Sequence, residues 1–244
     1  MTLFLDLAGA GSETFWLNVT GTRPSSRRGP DGEFVTLMPP HGDAHLRLQR
    51  LREGAGGCHL DLHVAHDAID GAAARAVALG ARQRHREEGE VTVLESPGGF
   101  PFCLVRWDGE KTIAEPADGA GLSRLDQLCV DAPADLFEAE CAFWAELTGW
   151  ETRAGSRPEF RSLVRPALLP VRLLFQRLDH DGGRVTGHPD FACDDRDRLT
   201  ARHTAAGARV VATFPHWTTM ADPDGRPYCL TDRDPHPHAA RRRS

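Results

Sequence analysis

The sequence has no apolar run approaching the roughly 18–20 residues that a membrane-spanning helix needs, which excludes a helical membrane protein. Lysine is nearly absent: Lys111 is the only one, the other basic residues being arginine, a bias without mechanistic meaning here. Nor is there an excess of positive charge. The 29 Lys and Arg face 35 Asp and Glu, for a formal charge of −6, which argues against a nucleic-acid partner. No C-x-x-C pair occurs. Cys58, Cys103, Cys129, Cys141, Cys193 and Cys229 are scattered, mostly within apolar runs, and read as reduced, buried thiols of a cytoplasmic protein. Met1 to Asp6 carries neither a basic segment nor a long apolar stretch, so no secretory leader is expected. Nucleophile-elbow, phosphate-loop and dinucleotide-binding glycine motifs are all missing.

What is present is ordinary globular composition, 40% hydrophobic and 26% charged over 244 residues, enough for one large domain or two small ones. Within it the sequence repeats itself. Phe15-Trp16-Leu17-Asn18-Val19-Thr20-Gly21 is answered by Phe143-Trp144-Ala145-Glu146-Leu147-Thr148-Gly149, and His59-Leu60-Asp61-Leu62 by His188-Pro189-Asp190-Phe191. Leu48 to Leu51 matches Phe175 to Leu178, Leu79 to Ala81 matches Ala206 to Ala208, and Ser96 to Leu104 matches Asp222 to Leu230. The blocks keep one order at an offset of 126 to 129 residues. Two homologous domains follow, over 1–109 and 123–234. A Pro- and Gly-containing linker over 110–122 joins them, and the tail 235–244 has nothing to bury and is expected to be disordered.

In the second domain, Leu125 to Val130 reads as a strand. Asp131 to Asp135 offers a cap, and Phe137, Cys141, Trp144 and Leu147 recur at helical spacing until Gly149. After two short strands near 160–164 and 171–178 the pattern restarts: strand 187–193, a helix capped by Asp194 or Asp195, then strands 208–213, 217–221 and 228–231. Asp222-Pro223-Asp224-Gly225 suits a type I hairpin turn. The fold class is therefore α+β, each domain holding two βαβββ modules. A single module leaves one sheet face open, so paired modules curl around a shared cleft, the natural binding site.

These residues resemble the vicinal oxygen chelate superfamily, which includes glyoxalase I, bleomycin-resistance proteins and extradiol dioxygenases. The run from His188 to Asp195, the helix ending Ala206-Gly207-Ala208, and the Asp222-Pro223-Asp224-Gly225 hairpin leading to Tyr228-Cys229-Leu230 look like the second module of its glyoxalase-like group. The resemblance implies paired modules but no single reaction. Its metal-binding members place His or Gln on the first strand of each module and Glu on the last. Here those places hold Gln127, Gln176 or Arg177, His188 and Cys229, and in the first domain Asp6, Gln49, His59 and Cys103. With no late-strand carboxylate, the expectation is a cleft without a metal cofactor, a divalent metal being the alternative.

His59, Asp61 and His63 alternate along one strand and share a face, an arrangement His188 and Asp190 repeat. His188 and His59 are the candidate catalytic residues, as ligands or general bases. Gln127, Trp217, Asp190, Asp61, Arg177, Cys229 and Cys103 are candidate ligand-binding groups; Trp217 could stack on a planar molecule and Arg177 could hold an anion. The expected partner is a small molecule, an aromatic one among the candidates, with a homodimer left open. The alternative function is a metal-dependent lyase or dioxygenase.

Overall fold

The computed structural model describes residues 1–9, 11–54, 56–116 and 121–236. Its first domain runs β1 (Thr2–Leu7), α1 (Gly11–Thr20), β2 (Arg23–Pro24), β3 (Phe34–Met38), β4 (Leu46–Arg50), β5 (Gly57–Val64), α2 (Ile69–Ala78), β6 (Arg82–Glu87), β7 (Val91–Glu95) and β8 (Pro101–Arg106). The second repeats the order: β9 (Ser123–Ala132), α3 (Phe137–Thr148), β10 (Thr152–Ala154), β11 (Phe160–Leu163), β12 (Arg172–Arg177), β13 (Thr186–Cys193), α4 (Arg196–Ala205), β14 (Arg209–Thr213), β15 (Trp217–Ala221) and β16 (Pro227–Thr231). Each domain forms one eight-stranded mixed sheet, ordered β2-β3-β4-β1-β5-β8-β7-β6 and β10-β11-β12-β9-β13-β16-β15-β14. Within a module the first strand pairs parallel with the last, and the two modules of a domain join through their antiparallel first strands. The modules thus pair within the chain, as the repeat led one to expect.

The central strand β9 is the most buried element, nine of its ten residues being buried. A strand covered on both faces must be largely apolar or satisfy its polar groups internally. It does the second where it faces the cleft. Gly149 ends α3 in the left-handed conformation, with φ of 71°, as the sequence predicts. Asp195 caps α4 by accepting from the Arg198 amide. One expectation is corrected. No acid between 131 and 135 caps α3, whose first turn follows Leu136 with no side-chain cap; β9 runs on to Ala132, so Asp131 belongs to the sheet.

The helix that opens each domain packs on the other domain. Phe15 and Trp16 of α1 sit in a buried aromatic cluster with Phe191, His203 and Tyr228. Phe143 and Trp144 of α3 pack on Phe100 and Phe102. Both indoles are satisfied: Trp16 donates to Asp222 at 3.2 Å, and Trp144 to the buried Glu140 at 2.7 Å. Glu140 also accepts from the Gly98 amide of the first domain. This exchange buries the outer faces of the modules and leaves the concave faces as clefts.

The linker stretch is held where it is described. Asp43 accepts from the backbone N–H groups of Lys111 and Thr112. Residues 117–120 lie outside the described residues. Of the tail, Pro235 gives its carbonyl to Arg124 at 2.6 Å, and the expectation for 237–244 falls outside the described residues.

Candidate functional site

Strand pleating decides which residues meet in the second cleft. Gln127, Cys129 and Asp131 of β9 point to its concave face, as do His188 and Asp190 of β13 and Cys229 of β16. Cys129 stands opposite His188, and Gln127 opposite Asp190. His188 Nδ1 lies 2.7 Å from Asp131 Oδ2, while Nε2 faces Asp190 Oδ1 at 3.4 Å and Cys229 Sγ at 3.5 Å. Gln127 donates to the other Asp190 oxygen at 2.5 Å. Asp190 Oδ1 is buried and has no hydrogen-bond partner.

Burial works against the charged imidazole of His188, but the adjacent Asp131 outweighs it, and the pKa lies well above the ordinary histidine range. Asp131 thus favours the protonated form of the ring. Burial pushes Asp190 up, against the pull of His188 and Arg233, and burial likewise raises the Cys229 thiol.

Above this floor opens a cavity of about 760 Å³. Trp217 lines it, stacked on Phe214 at 4.5 Å and edge-on to Phe160, with the Arg157 guanidinium over its ring. Trp217 thus lines the cleft. Arg153 and Arg172 also reach the cavity. Arg233 reaches it too, but is committed to Asp126, with bonds of 2.9 and 2.6 Å. Arg172 is half-buried and makes no ion pair with a carboxylate among the described residues. Arg177 is exposed and does not line the cavity, because pleating sends its neighbour Gln176 inward instead.

The first domain repeats the floor but not the space. His59 Nδ1 bonds both Asp6 oxygens at 2.9 and 3.0 Å, and its Nε2 is 3.7 Å from Asp61 Oδ1. Cys103 completes the group. Phe4, however, stands opposite His59, where the second domain has Cys129 opposite His188. Its ring stacks on the imidazole, meets Phe34 edge-on, and carries the Arg47 guanidinium above it. Arg47 and His63 both pair with Glu110. The concave face here is filled by side chains.

The sequence thus brought together His188, Asp190, Cys229, Gln127 and Trp217, and separately His59, Asp61 and Cys103. It missed Asp131, Arg153 and Arg172. Asp131 carried a signal, since it and Asp6 occupy equivalent places on the opening strands of the two repeats.

The coordination chemistry of the floor can be tested directly. One ligand atom each from His188, Asp190 and Cys229 lies within 4.8 Å of the others, and the same holds for His59, Asp61 and Cys103. Imidazole nitrogen, carboxylate and thiolate suit a divalent transition ion, and a carboxylate on the far ring nitrogen is the usual support of a ligating histidine. The unpartnered Asp190 oxygen fits such an ion.

A family model described as a glyoxalase-like domain matches residues 3–105 and 127–231. No curated protein matches the sequence. Among solved structures, a variant of homoprotocatechuate 2,3-dioxygenase from Brevibacterium fuscum, in complex with HPCA, superposes with a TM-score of 0.67 at 17% identity, covering 96% of this chain and 71% of that one. The Mn(II)-bound glyoxalase from Novosphingobium aromaticivorans gives 0.65 at 16%, covering 94% and 80%. Homoprotocatechuate 2,3-dioxygenase from Arthrobacter globiformis gives 0.66 at 17%, covering 94% and 78%. At such identities the likeness is one of fold. No helix among the described residues is long and apolar enough to cross a membrane.

Proposed function

The chain belongs to the glyoxalase-like domain family, built from two copies of the domain, and from that premise we propose that its second cleft binds a small molecule carrying an aromatic ring and a negative charge. The observation that carries this reading is Arg172: a half-buried guanidinium, facing a cavity of about 760 Å³, without a carboxylate partner among the described residues. A half-buried guanidinium without an ion-pair partner leaves that side of the cavity positive, and an anionic ligand is favoured there. Trp217 and Phe160 supply an aromatic wall for the ring, and His188 supplies a polar group at the floor. The first cleft, filled by Phe4 and Arg47, takes no part in binding.

A thermal-shift panel of small aromatic carboxylates, with neutral aromatics of the same shape as controls, tests this. The carboxylates are expected to raise the melting temperature of the wild type, and Arg172→Ala to abolish the shift. Equal stabilisation by the neutral set would defeat the reading.

The unpartnered Asp190 Oδ1 favours a second reading, a metal-dependent lyase or dioxygenase. His188, Asp190 and Cys229 would hold the ion, with Gln127 beside them. A bound divalent ion would supply Lewis-acid polarisation of a substrate oxygen. The chain's own part is the same in both readings: Arg172 orients the anion, Trp217 stacks the ring, and Asp131 fixes the His188 imidazole. Metal analysis of wild type against His188→Asn separates the two readings.

A further inference from the structure

We propose that the crevice between α2 and the end of α3, outside both clefts, binds an unbranched, medium-chain carboxylate. This cavity of about 250 Å³ lies where the helix-covered side of the first sheet meets the second domain. Leu62, Val64 and Leu104 line it from the sheet, and Leu147, Trp150 and Leu169 from the second domain. Leu104 is buried and the other five are half-buried. A water-sized group takes about 30 Å³ of liquid volume, so the space has room for about eight of them, the size of an octanoate chain. Two side chains of the wall can ionise. His63 is already engaged by Thr2 and Glu110. Arg75 is exposed, donates to the Glu146 carbonyl at 2.5 Å, and makes no ion pair with a carboxylate among the described residues. A guanidinium with donors to spare beside an apolar cavity fits a carboxylate whose tail enters the cavity.

The duplication supplies a second observation. A sister crevice lies between α4 and the end of α1, lined at equivalent places of the repeat: Thr20 there answers Thr148 here, and Phe191 answers Leu62. Arg202 answers Arg75, donating to the Asn18 carbonyl as Arg75 does to that of Glu146. The sister crevice holds only about 50 Å³, because the linker lies in it. Ala114 is half-buried in its wall and Glu115 exposed, so the linker brings an apolar group inside and a carboxylate outside. The crevice at Arg75 has no such segment among the described residues, and Ala72 stands in its wall where α4 has the larger, fully buried Leu199. An apolar chain ending in a carboxylate supplies what the linker supplies to the sister. The inference does not rest on the ligand assigned to the second cleft.

The test is calorimetric titration of the full chain carrying Arg172→Ala, which takes the second cleft out of the comparison, with butanoate, hexanoate, octanoate, dodecanoate and 1-octanol below their micelle concentrations. One octanoate per chain is expected. Affinity should rise about fourfold per methylene up to octanoate, and dodecanoate should gain nothing further. Octanol should bind about two- to fivefold more weakly than octanoate, and Arg75→Gln should weaken octanoate by the same factor while leaving octanol unchanged. Ala72→Leu, which copies the sister crevice, should abolish octanoate binding. Octanoate brominated at its far end should quench tryptophan fluorescence, and Trp150→Phe should remove that quenching; this locates the site without relying on the Ala72 variant. No octanoate binding by the Arg172→Ala chain overturns the proposal, as does undiminished binding in Ala72→Leu or equal affinity for octanoate and octanol.

Discussion

The Phe4 ring lies on the His59 imidazole with the planes 11° from parallel, whereas the residue at the matching register of the second domain, Cys129, leaves His188 facing a cavity. One position on the opening strand therefore separates a filled concave face from an open one. Duplication supplied two equivalent floors, and the side chains above them set their use.

Phe4 is 6% exposed, and its removal empties the space it fills. Phe4→Ala is expected to cost about 3–5 kcal/mol in urea unfolding. Ligand binding in the second domain should be unchanged once the variant is folded, as measured by thermal shift well below its melting point.

The two domains are tied by a buried carboxylate. Asp222 accepts from the Trp16 indole, from the Arg226 guanidinium at 2.9 and 2.6 Å, and from the Asp224 and Arg226 amides. Trp16→Phe removes one bond and leaves Asp222 paired, so it should cost about 1–2 kcal/mol. Asp222→Ala leaves Arg226 without its main partner and should cost about 3–5 kcal/mol. Chemical denaturation of both variants checks the order. Equal losses would contradict it.

Asp131 should set the charge of His188. A histidine whose pKa is raised in the folded state adds stability that is complete below the unfolded value and is lost as pH rises through the folded one. Asp131→Asn removes the principal raising partner. The His188 resonance in NMR titration should then move to lower pH, and the variant should lose most stability, relative to wild type, on the acid side of about 6.5.

His203 works in the opposite sense. Burial lowers its pKa to about 3, and its Nδ1 bonds the Tyr228 hydroxyl at 2.9 Å. A depressed histidine stabilises fully above the unfolded value and loses that contribution as pH falls. Between pH 6.5 and about 3 it should cost about 1.4 kcal/mol per pH unit. His45 and His63, each lowered to about 4 by burial, act in the same direction. The melting temperature should fall from pH 7 to 4, and less steeply in His203→Gln, as calorimetry across that range would show.

The repeat made most of this fold legible. Matched blocks such as Phe15-Trp16 and Phe143-Trp144 marked the opening helix of each domain, and the alternation of His188 and Asp190 placed both on one face of β13. Asp131 is ambiguous in the sequence, because an acid between a strand and a helix suits either a cap or a last strand position. Only the length of β9 distinguishes them. The arginines of the cavity were invisible for a different reason. Arg153 and Arg172 lie in short strands where inward and outward residues differ only by parity, which is why the sequence leaves Gln176 and Arg177 as alternatives and the structure points Gln176 inward. The closing of the first cleft by Phe4 depends on cross-strand register, which a motif comparison does not supply.

The direct measurement is calorimetric titration of the wild type with whichever aromatic carboxylate gives the largest thermal shift. The account predicts one ligand per chain, binding lost in Arg172→Ala and in Trp217→Ala, and binding retained in Arg47→Ala. Two ligands per chain, or binding that survives Arg172→Ala and fails in Arg47→Ala, would contradict it.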